Sequence, residues 1–255
     1  MRRSWSGEGN PCSASGLLIA DGTLEALKWL ALIVMALDHV NKYVYREQLP
    51  VIFEVGRSVL PIFSFVLAYN LTRPNATTNG AYRRTMQRLT LTGLLSAPIV
   101  YALNAPLVNK SPWWPQNVLF MFLLAAGLSI LWMKGGALRR ALPVVLFLLA
   151  GAVVEYFWFG LGCFWASSLF CRQPTIRHFS LWVLALLSLT AVNGNLWALA
   201  AVPIVLLATR VPLSLPRNKW AFYAFYPTHL LAIWVLCDSL RLRSGALEKR
   251  DATSA

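Results

Sequence analysis

The sequence predicts an all-α protein, a polytopic bundle of about nine membrane-spanning helices. Hydrophobic residues make up 57% of the 255 residues, whereas charged residues make up only 13%, about half of the roughly 25% found in soluble domains. The 23 lysines and arginines lie mainly in short segments between long apolar runs, where basic residues orient a membrane protein. The net charge of +13 therefore indicates membrane topology, and we expect no nucleic-acid partner.

Nine apolar runs approach the ~20 residues that a helix needs to cross a bilayer. They cover residues 24–45, 53–71, 82–103, 117–133, 141–159, 161–171, 179–192, 195–209 and 219–238. Run 161–171 is short, which favours a short, tilted or re-entrant helix and leaves eight or ten spans open. The resulting organisation is a polar N-terminal tail (1–23) without a signal-peptide core, a transmembrane domain (24–238) and a basic C-terminal tail (239–255).

The loops between these runs are alternately rich and poor in lysine and arginine, so the positive-inside rule predicts a cytoplasmic N-terminus. The C-terminal tail conflicts with this scheme, because nine spans would place its basic residues outside. A miscounted span, such as a hidden tenth one, or a tail that crosses despite its charge would resolve the conflict. The four cysteines have neither CxxC nor metal-ligand spacing, so we expect no disulfide framework and no metal site.

The first run is the centre of the functional prediction, because it carries Asp38, His39 and Lys42. A charge near the centre of a bilayer costs about 2.5–3.5 kcal/mol on insertion scales. Asp38 and Lys42 are four residues apart, which allows them to pair along one helix face. A structural ion pair near the outer interface is one interpretation. The other is a site in which the neutral imidazole of His39 acts as a base.

Polar residues in four later runs are the candidate partners. Arg57 precedes Pro61, which kinks or restarts its helix. Arg84 and Arg88 share a helix face and favour phosphate binding, although a topology-setting flank is the alternative. Glu155 is equally compatible with an interfacial and a cavity position. His229, with Tyr226 on the same face, follows Pro227 in a stretch predicted to be irregular or kinked, as in many membrane-embedded sites. His178 is predicted to be a surface residue.

Several of these residues also carry a resemblance to a known family. The motifs, in order, are LKWLALIVMALDHVNKY, GRSVLPIFSFVLAYNL, YRRTMQRL, QNVLFMFLLAAGL, NLWALAAVPIVLL and FYAFYPTHLLAIWVL. Together they resemble the TraX family of conjugation proteins from about Leu24 to Leu236. The specific features are Asp-His in the first run, Gly-Arg with a downstream proline in the second, and Tyr-Pro-x-His in the last.

The resemblance implies an inner-membrane acetyltransferase, related to membrane acyltransferases, that transfers acetyl from acetyl-CoA to the N-terminal amine of a conjugative pilin. The implied catalytic residues are His39, Asp38 and His229. The implied donor-binding residues are Arg57, Arg84, Arg88, Asn117 and Tyr226. We expect His39 to be the base, Asp38 to fix its tautomer or pair with Lys42, and His229 or Asn117 to stabilise the oxyanion. Partners would be the pilin, the lipid bilayer and other conjugation proteins.

Two other classes of function remain compatible with the sequence. Buried ionisable groups and broken helices also serve transporters, although no inverted repeat relates the two halves of this chain, and a lipid-modifying acyltransferase would use a different acceptor. The second class is a non-enzymatic scaffold for pilus assembly. The enzyme interpretation requires His39, His229, Arg57 and Asn117 to converge on one polar cavity, with the Arg84–Arg88 face open at its cytoplasmic end.

Overall fold

A computed structural model describes residues 16–107, 111–133 and 135–253 of the chain, and these residues form an all-helical bundle. The helices are α1 (Asp21–Tyr43), α2 (Pro50–Gly56), α3 (Val59–Thr72), α4 (Ala81–Asn104), α5 (Val118–Met133), α6 (Ala137–Ala150), α7 (Phe157–Arg172), α8 (Ile176–Ser188), α9 (Thr190–Asn193), α10 (Ala201–Ala208) and α11 (Lys219–Thr253), with a 3₁₀ turn at Trp197–Ala200. Every predicted apolar run contains a helix, so the predicted fold class is confirmed.

Several helices are long and apolar enough to cross a membrane. By length and composition, the described residues contain three such spans, at Pro50–Thr72, Ile176–Asn193 and Trp220–Arg241, and shorter apolar helices at Val118–Met133, Arg140–Ala150 and Trp197–Ala208. Helices α1 and α4 are of similar length, with 23 and 24 residues, but carry charged side chains. Many large apolar side chains are exposed, such as Leu148 and Leu149 on α6, as expected for a surface that faces lipid.

Most of the core surrounds α3, which packs against α7 and α1. Phe65 of α3 and Phe164 of α7 are almost fully buried, and Phe65 lies against Trp182 of α8, with ring centres 5.7 Å apart. A smaller apolar cluster joins α1, α4 and α11 through Leu32, Leu103, Tyr226 and Leu230. This second cluster fixes the position of α11, and therefore of His229, relative to the end of α1.

The helix boundaries differ from the predicted runs, and two of the differences affect the functional prediction. The run 141–159 is divided by a turn over residues 151–156, so that α6 ends at Ala150 and α7 begins at Phe157. Helix α11 continues without a break through Pro227 to Thr253. The irregular alternative predicted for the stretch around His229 is therefore wrong, and Pro227 lies inside the helix. The same helix crosses the predicted boundary between residues 238 and 239, and no tenth span follows it within the described residues.

The N-terminal end of α1 is held by an extended segment over residues 211–218, which we call the strap. Thr23 Oγ1 donates to the Val211 carbonyl at 2.8 Å and accepts from the Leu213 amide at 2.9 Å. The Asn218 amide donates to Glu25 Oε1 at 2.9 Å, and Lys28 pairs with the same carboxylate. Gly22 allows the close approach, because an added Cβ would lie 2.1 Å from the Leu213 oxygen.

Candidate functional site

The opposite end of α1 opens into a polar cavity of about 330 Å³. Its lining comes from the C-terminal parts of α1 and α4, from the start of α7, from α9 and α11, from the α2–α3 junction, and from the segments that precede α5 and α7. The polar and aromatic lining residues are His39, Lys42, Tyr43, Arg57, Asn104, Ser111, Trp114, Asn117, Glu155, Tyr156, Phe157 and Tyr226. Four predicted site residues, His39, Arg57, Asn117 and Tyr226, therefore line one cavity.

His39 and His229 form a direct hydrogen bond behind this cavity wall. His39 Nδ1 lies 2.8 Å from His229 Nε2. The ring planes differ by 6° and the ring centres are 5.1 Å apart, so the rings meet edge to edge in nearly one plane. The Tyr226 ring stands almost perpendicular to both, at 75° to His39 and 72° to His229. The structure thus brings together residues that are 190 positions apart in the sequence.

The hydrogen bonds also determine which nitrogen atoms carry protons when both rings are neutral. His229 Nδ1 lies 2.7 Å from the Phe225 carbonyl oxygen, and because a carbonyl can only accept, this nitrogen carries the proton. His229 Nε2 is then an acceptor, and His39 Nδ1 must donate to it. His39 Nε2 is consequently left with a free lone pair. The pair therefore holds His39 in the tautomer that a general base requires.

Asp38 pairs with Arg57 and not with Lys42, so the predicted i, i+4 pair is wrong. Arg57 Nη2 lies 2.8 Å and 2.9 Å from the two Asp38 oxygens, and Arg57 Nε donates to the Phe53 carbonyl at 3.1 Å. Both charged side chains are only 16% exposed. Lys42 instead lies over the Tyr43 ring, with Nζ 4.9 Å from its centre. Asp38 thus anchors the α2–α3 junction to α1. The residue that fixes the tautomer of His39 is His229, a part that was predicted for Asp38.

Asn117 lines the cavity, but much of its hydrogen-bonding capacity is used by the fold. Its amide oxygen accepts from the Leu119 amide at 3.1 Å, which caps the first turn of α5. Its amide nitrogen donates to the Gly93 carbonyl of α4 at 3.3 Å. Asn117 therefore shapes the cavity wall by joining α4 to α5.

The turn between α6 and α7 supplies Glu155 and Tyr156, which the sequence left open or missed. The Glu155 amide donates to the Gln116 carbonyl and the Gln116 amide to the Val153 carbonyl, each at 2.8 Å. Tyr156 adopts a left-handed conformation with φ of 61°, which is unfavourable for an aromatic residue. Burial raises the pKa of the Glu155 carboxyl, an effect that the positive charges of Lys42 and Arg57 oppose.

Arg84 and Arg88, in the first two turns of α4, are not among the residues that line the cavity. Arg84 is exposed and donates from Nη1 to the Asn79 carbonyl at 2.7 Å. The Arg88 guanidinium lies over two aromatic rings of α11, 5.3 Å from the centre of Trp220 and 5.4 Å from that of Tyr223. Tyr223 precedes Tyr226 by three residues, or about 4.5 Å of helix rise. The arginines are thus connected to the cavity along α11 but lie toward the other end of the bundle.

The remaining polar candidates do not form a metal site. Among the described residues, no group of three or more histidine, cysteine, aspartate or glutamate side chains could hold a metal ion. His178 lies at the start of α8, where its Nδ1 is 2.8 Å from the Gln173 carbonyl. This histidine has a local structural contact and is distant in the sequence from the cavity residues, so it serves as a natural control.

Comparisons with known proteins identify the family of the chain. A model of the TraX protein family matches residues 23–237, which include every residue of the cavity. A TraX protein of Escherichia coli is 27% identical over 235 residues, covering 87% of this chain and 90% of that protein. A TraX protein of Escherichia coli strain K12 is 30% identical over 110 residues, covering 43% and 40% of the two chains. No solved structure matches the chain. The chain belongs to the TraX family.

Proposed function

We propose that this protein is a membrane acetyltransferase that moves an acetyl group from acetyl-CoA to the N-terminal amine of a conjugative pilin. The observation that carries the proposal is the His39–His229 pair at a polar cavity. A base with a free lone pair, held in one tautomer and adjoining a space for two reactants, is what acyl transfer to an amine requires. The family resemblance implies the acetyl donor and the pilin acceptor.

In the proposed reaction, the amine nitrogen of the acceptor attacks the thioester carbonyl carbon, and His39 Nε2 takes a proton from that nitrogen. The new carbon–nitrogen bond forms as the carbon–sulfur bond breaks, and the leaving thiolate takes the proton back from His39. The products are the N-acetylated acceptor and CoA. His229 supports this sequence because its Nε2 accepts from His39 Nδ1 and so stabilises the imidazolium that forms in between.

The oxyanion of the tetrahedral intermediate needs a donor at the cavity wall. Lys42, Tyr156 and Tyr226 all line the cavity and carry N–H or O–H groups. Lys42 is the preferred donor in this proposal, because a charged donor forms the stronger hydrogen bond with an oxyanion. His229 is excluded from this role, since its two nitrogen atoms are engaged by His39 and the Phe225 carbonyl.

The donor is proposed to enter from the end of the bundle that carries Arg84 and Arg88. Guanidinium groups bind phosphates through paired hydrogen bonds, and the rings of Trp220 and Tyr223 beside Arg88 provide a surface against which an adenine could stack. The flexible pantetheine arm would then follow α11 from Tyr223 past Tyr226 toward the cavity. The acceptor would enter from the cavity end, on the side that the sequence predicts to lie outside the cytoplasm.

The experiment that tests the proposal is a mass spectrum of the pilin N-terminal peptide from cells that assemble pili. We expect one added acetyl group when the wild-type protein or the His178→Ala variant is present. The acetyl group should be absent without the protein and with His39→Ala, provided that the variant is inserted at normal abundance. An unmodified pilin in the presence of wild-type protein would refute the proposed function.

A further inference from the structure

Glu155 is a carboxylate in the cavity wall that has no ion-pair partner in the described part of the chain. The ion pairs found there join Lys28 to Glu25, Arg57 to Asp38 and Arg73 to Asp21. The Glu155 carboxylate instead lines the main cavity, together with His39 and Lys42. It also borders a smaller cavity of about 50 Å³ that adjoins His39, Asp38 and Tyr156.

The nearby cations do not neutralise this carboxylate by contact. The charge of Arg57 is matched by Asp38, which receives both short contacts from its guanidinium. Lys42 lines the same cavity but makes its close contact with the Tyr43 ring. A partly buried carboxylate without a cation in direct contact is costly, because the charges of Lys42 and Arg57 offset its loss of hydration only in part. A cationic group that enters the cavity would stabilise the buried carboxylate.

The backbone that follows Glu155 is strained. Tyr156 and Phe157 both have positive φ, at 61° and 51°, and non-glycine residues in this region each cost of order 1–3 kcal/mol. An isolated bridge between Gln116 and Val154 holds the turn against the segment that precedes α5. Strain that the surrounding structure maintains is concentrated at functional sites, and here it fixes the direction of the Glu155 backbone beside the cavity.

We propose that Glu155 is the binding site for the ammonium group of the acceptor, so that the cavity accepts primary amines in their protonated form and excludes acetylated or hydroxyl-bearing counterparts. This inference rests on the proposed function, because that function makes the bound amine an acetyl acceptor. The binding of the amine itself requires no acetyl transfer. Its geometric basis is that Glu155 and His39 border both cavities. An amine nitrogen held by the carboxylate is thereby delivered to the region of the base.

The proton balance of this step is complete without an added reagent. The bound ammonium gives one proton to the Glu155 carboxylate and becomes a neutral amine with a free electron pair. That electron pair attacks the thioester, and His39 carries a second proton from the nitrogen to the leaving thiolate. Glu155 then returns its proton to water at the cavity mouth. One protonated amine and one acetyl-CoA yield one acetamide, one CoA and one released proton.

The test is a binding measurement without acetyl-CoA, on the purified full chain in lipid nanodiscs. The probes are glycyl-leucinamide and its N-acetylated counterpart, titrated by calorimetry. We expect wild-type protein to bind the free amine at least about tenfold more tightly, because hydrogen bonds between charged groups are the stronger ones. Glu155→Gln should abolish this preference. Glu54→Gln is the matched control, since Glu54 lies at the same end of the bundle in α2 but is not among the lining residues.

Glu155→Asp is the control for loss of folding in Glu155→Gln. It retains the negative charge, so it should retain part of the preference for the free amine. Equal binding of the two probes to the wild-type protein would overturn the ammonium site, as would a full preference that survives in Glu155→Gln. Failure of the proposed function has a different signature: the pilin stays unmodified in cells while the Glu155-dependent preference for the free amine persists in nanodiscs.

Discussion

Both ends of α1 carry charged side chains, but the surroundings of these side chains differ. At the strap end, Glu25 is 2% exposed, pairs with Lys28 and accepts from the Asn218 amide. At the cavity end, His39 and Lys42 lie about 21 and 26 Å further along the helix axis and border open space. A polar group whose partners are all supplied by the fold stabilises the fold. A polar group that faces a cavity is available to a ligand, which is why the proposed chemistry lies there.

The largest expected effect on stability comes from breaking the Asp38–Arg57 ion pair at the cavity end. Arg57→Met would leave the Asp38 carboxylate buried without its guanidinium, and we expect a loss of about 3–5 kcal/mol in the free energy of unfolding. Denaturant titration in mixed micelles measures this loss. The double variant Asp38→Leu with Arg57→Met should recover most of it, because an apolar pair of similar volume is close to neutral. A single-variant loss below about 1 kcal/mol would contradict the assigned pairing.

The His229→Ala variant tests whether His229 positions His39. Removing the acceptor of the His39 Nδ1 proton should lower the rate of acetyl transfer about 10- to 100-fold, equivalent to the ~1–3 kcal/mol penalty of one unsatisfied buried group. His229→Gln should restore much of the rate, because its amide oxygen can accept from His39. Equal rates for the alanine and glutamine variants would indicate a purely steric role.

Alanine substitutions of Gly22 at the strap end and of Gly56 at the cavity end compare how a packing clash affects each end of α1. An alanine Cβ at Gly22 would lie 2.1 Å from the Leu213 backbone oxygen, and one at Gly56 would lie 2.5 Å from Asp38 Oδ1. We expect Gly22→Ala to lower the free energy of unfolding by about 1–3 kcal/mol without changing the rate per folded molecule. Gly56→Ala should lower both quantities. Gly162→Ala, which would meet nothing within 4 Å, is the control and should be neutral or slightly stabilising.

The smallest expected effect concerns Arg88. Arg88→Ala removes its contacts with Trp220 and Tyr223, which should cost about 1 kcal/mol of stability and raise the KM for acetyl-CoA several-fold with little change in kcat. Arg83→Ala, an exposed neighbour on the same helix, should stay within about 0.5 kcal/mol of the wild type. An unchanged KM for acetyl-CoA in Arg88→Ala would remove Arg88 from the proposed donor site.

The sequence predicts the fold class and the location of the site well, because apolar run length and misplaced polar groups are local signals. It singles out His39, Arg57 and Tyr226, which line one cavity, and His229, which is not among the lining residues but contacts His39. Their catalytic and donor-binding roles stay predictions.

The sequence does not predict the contacts that depend on how distant helices pack against one another. Helix spacing allows Asp38 to pair with Lys42, but packing of the α2–α3 junction presents Arg57 instead. The distance between Arg88 and the cavity depends on where each residue falls along its helix. Glu155 was visible as an acid in an apolar run, but its exposure to the cavity depends on the strained turn at Tyr156.

We propose that the cavity end of α1 performs the chemistry and that the strap end maintains the fold. The most direct measurement is the initial rate of acetyl transfer from acetyl-CoA to a free-amine pilin peptide, by purified protein in nanodiscs, for His39→Ala and Glu25→Gln. We predict that His39→Ala lowers the rate about 10²- to 10⁴-fold in a stably folded protein, and that Glu25→Gln lowers stability while retaining the rate per folded molecule. A wild-type rate in His39→Ala would contradict the claim.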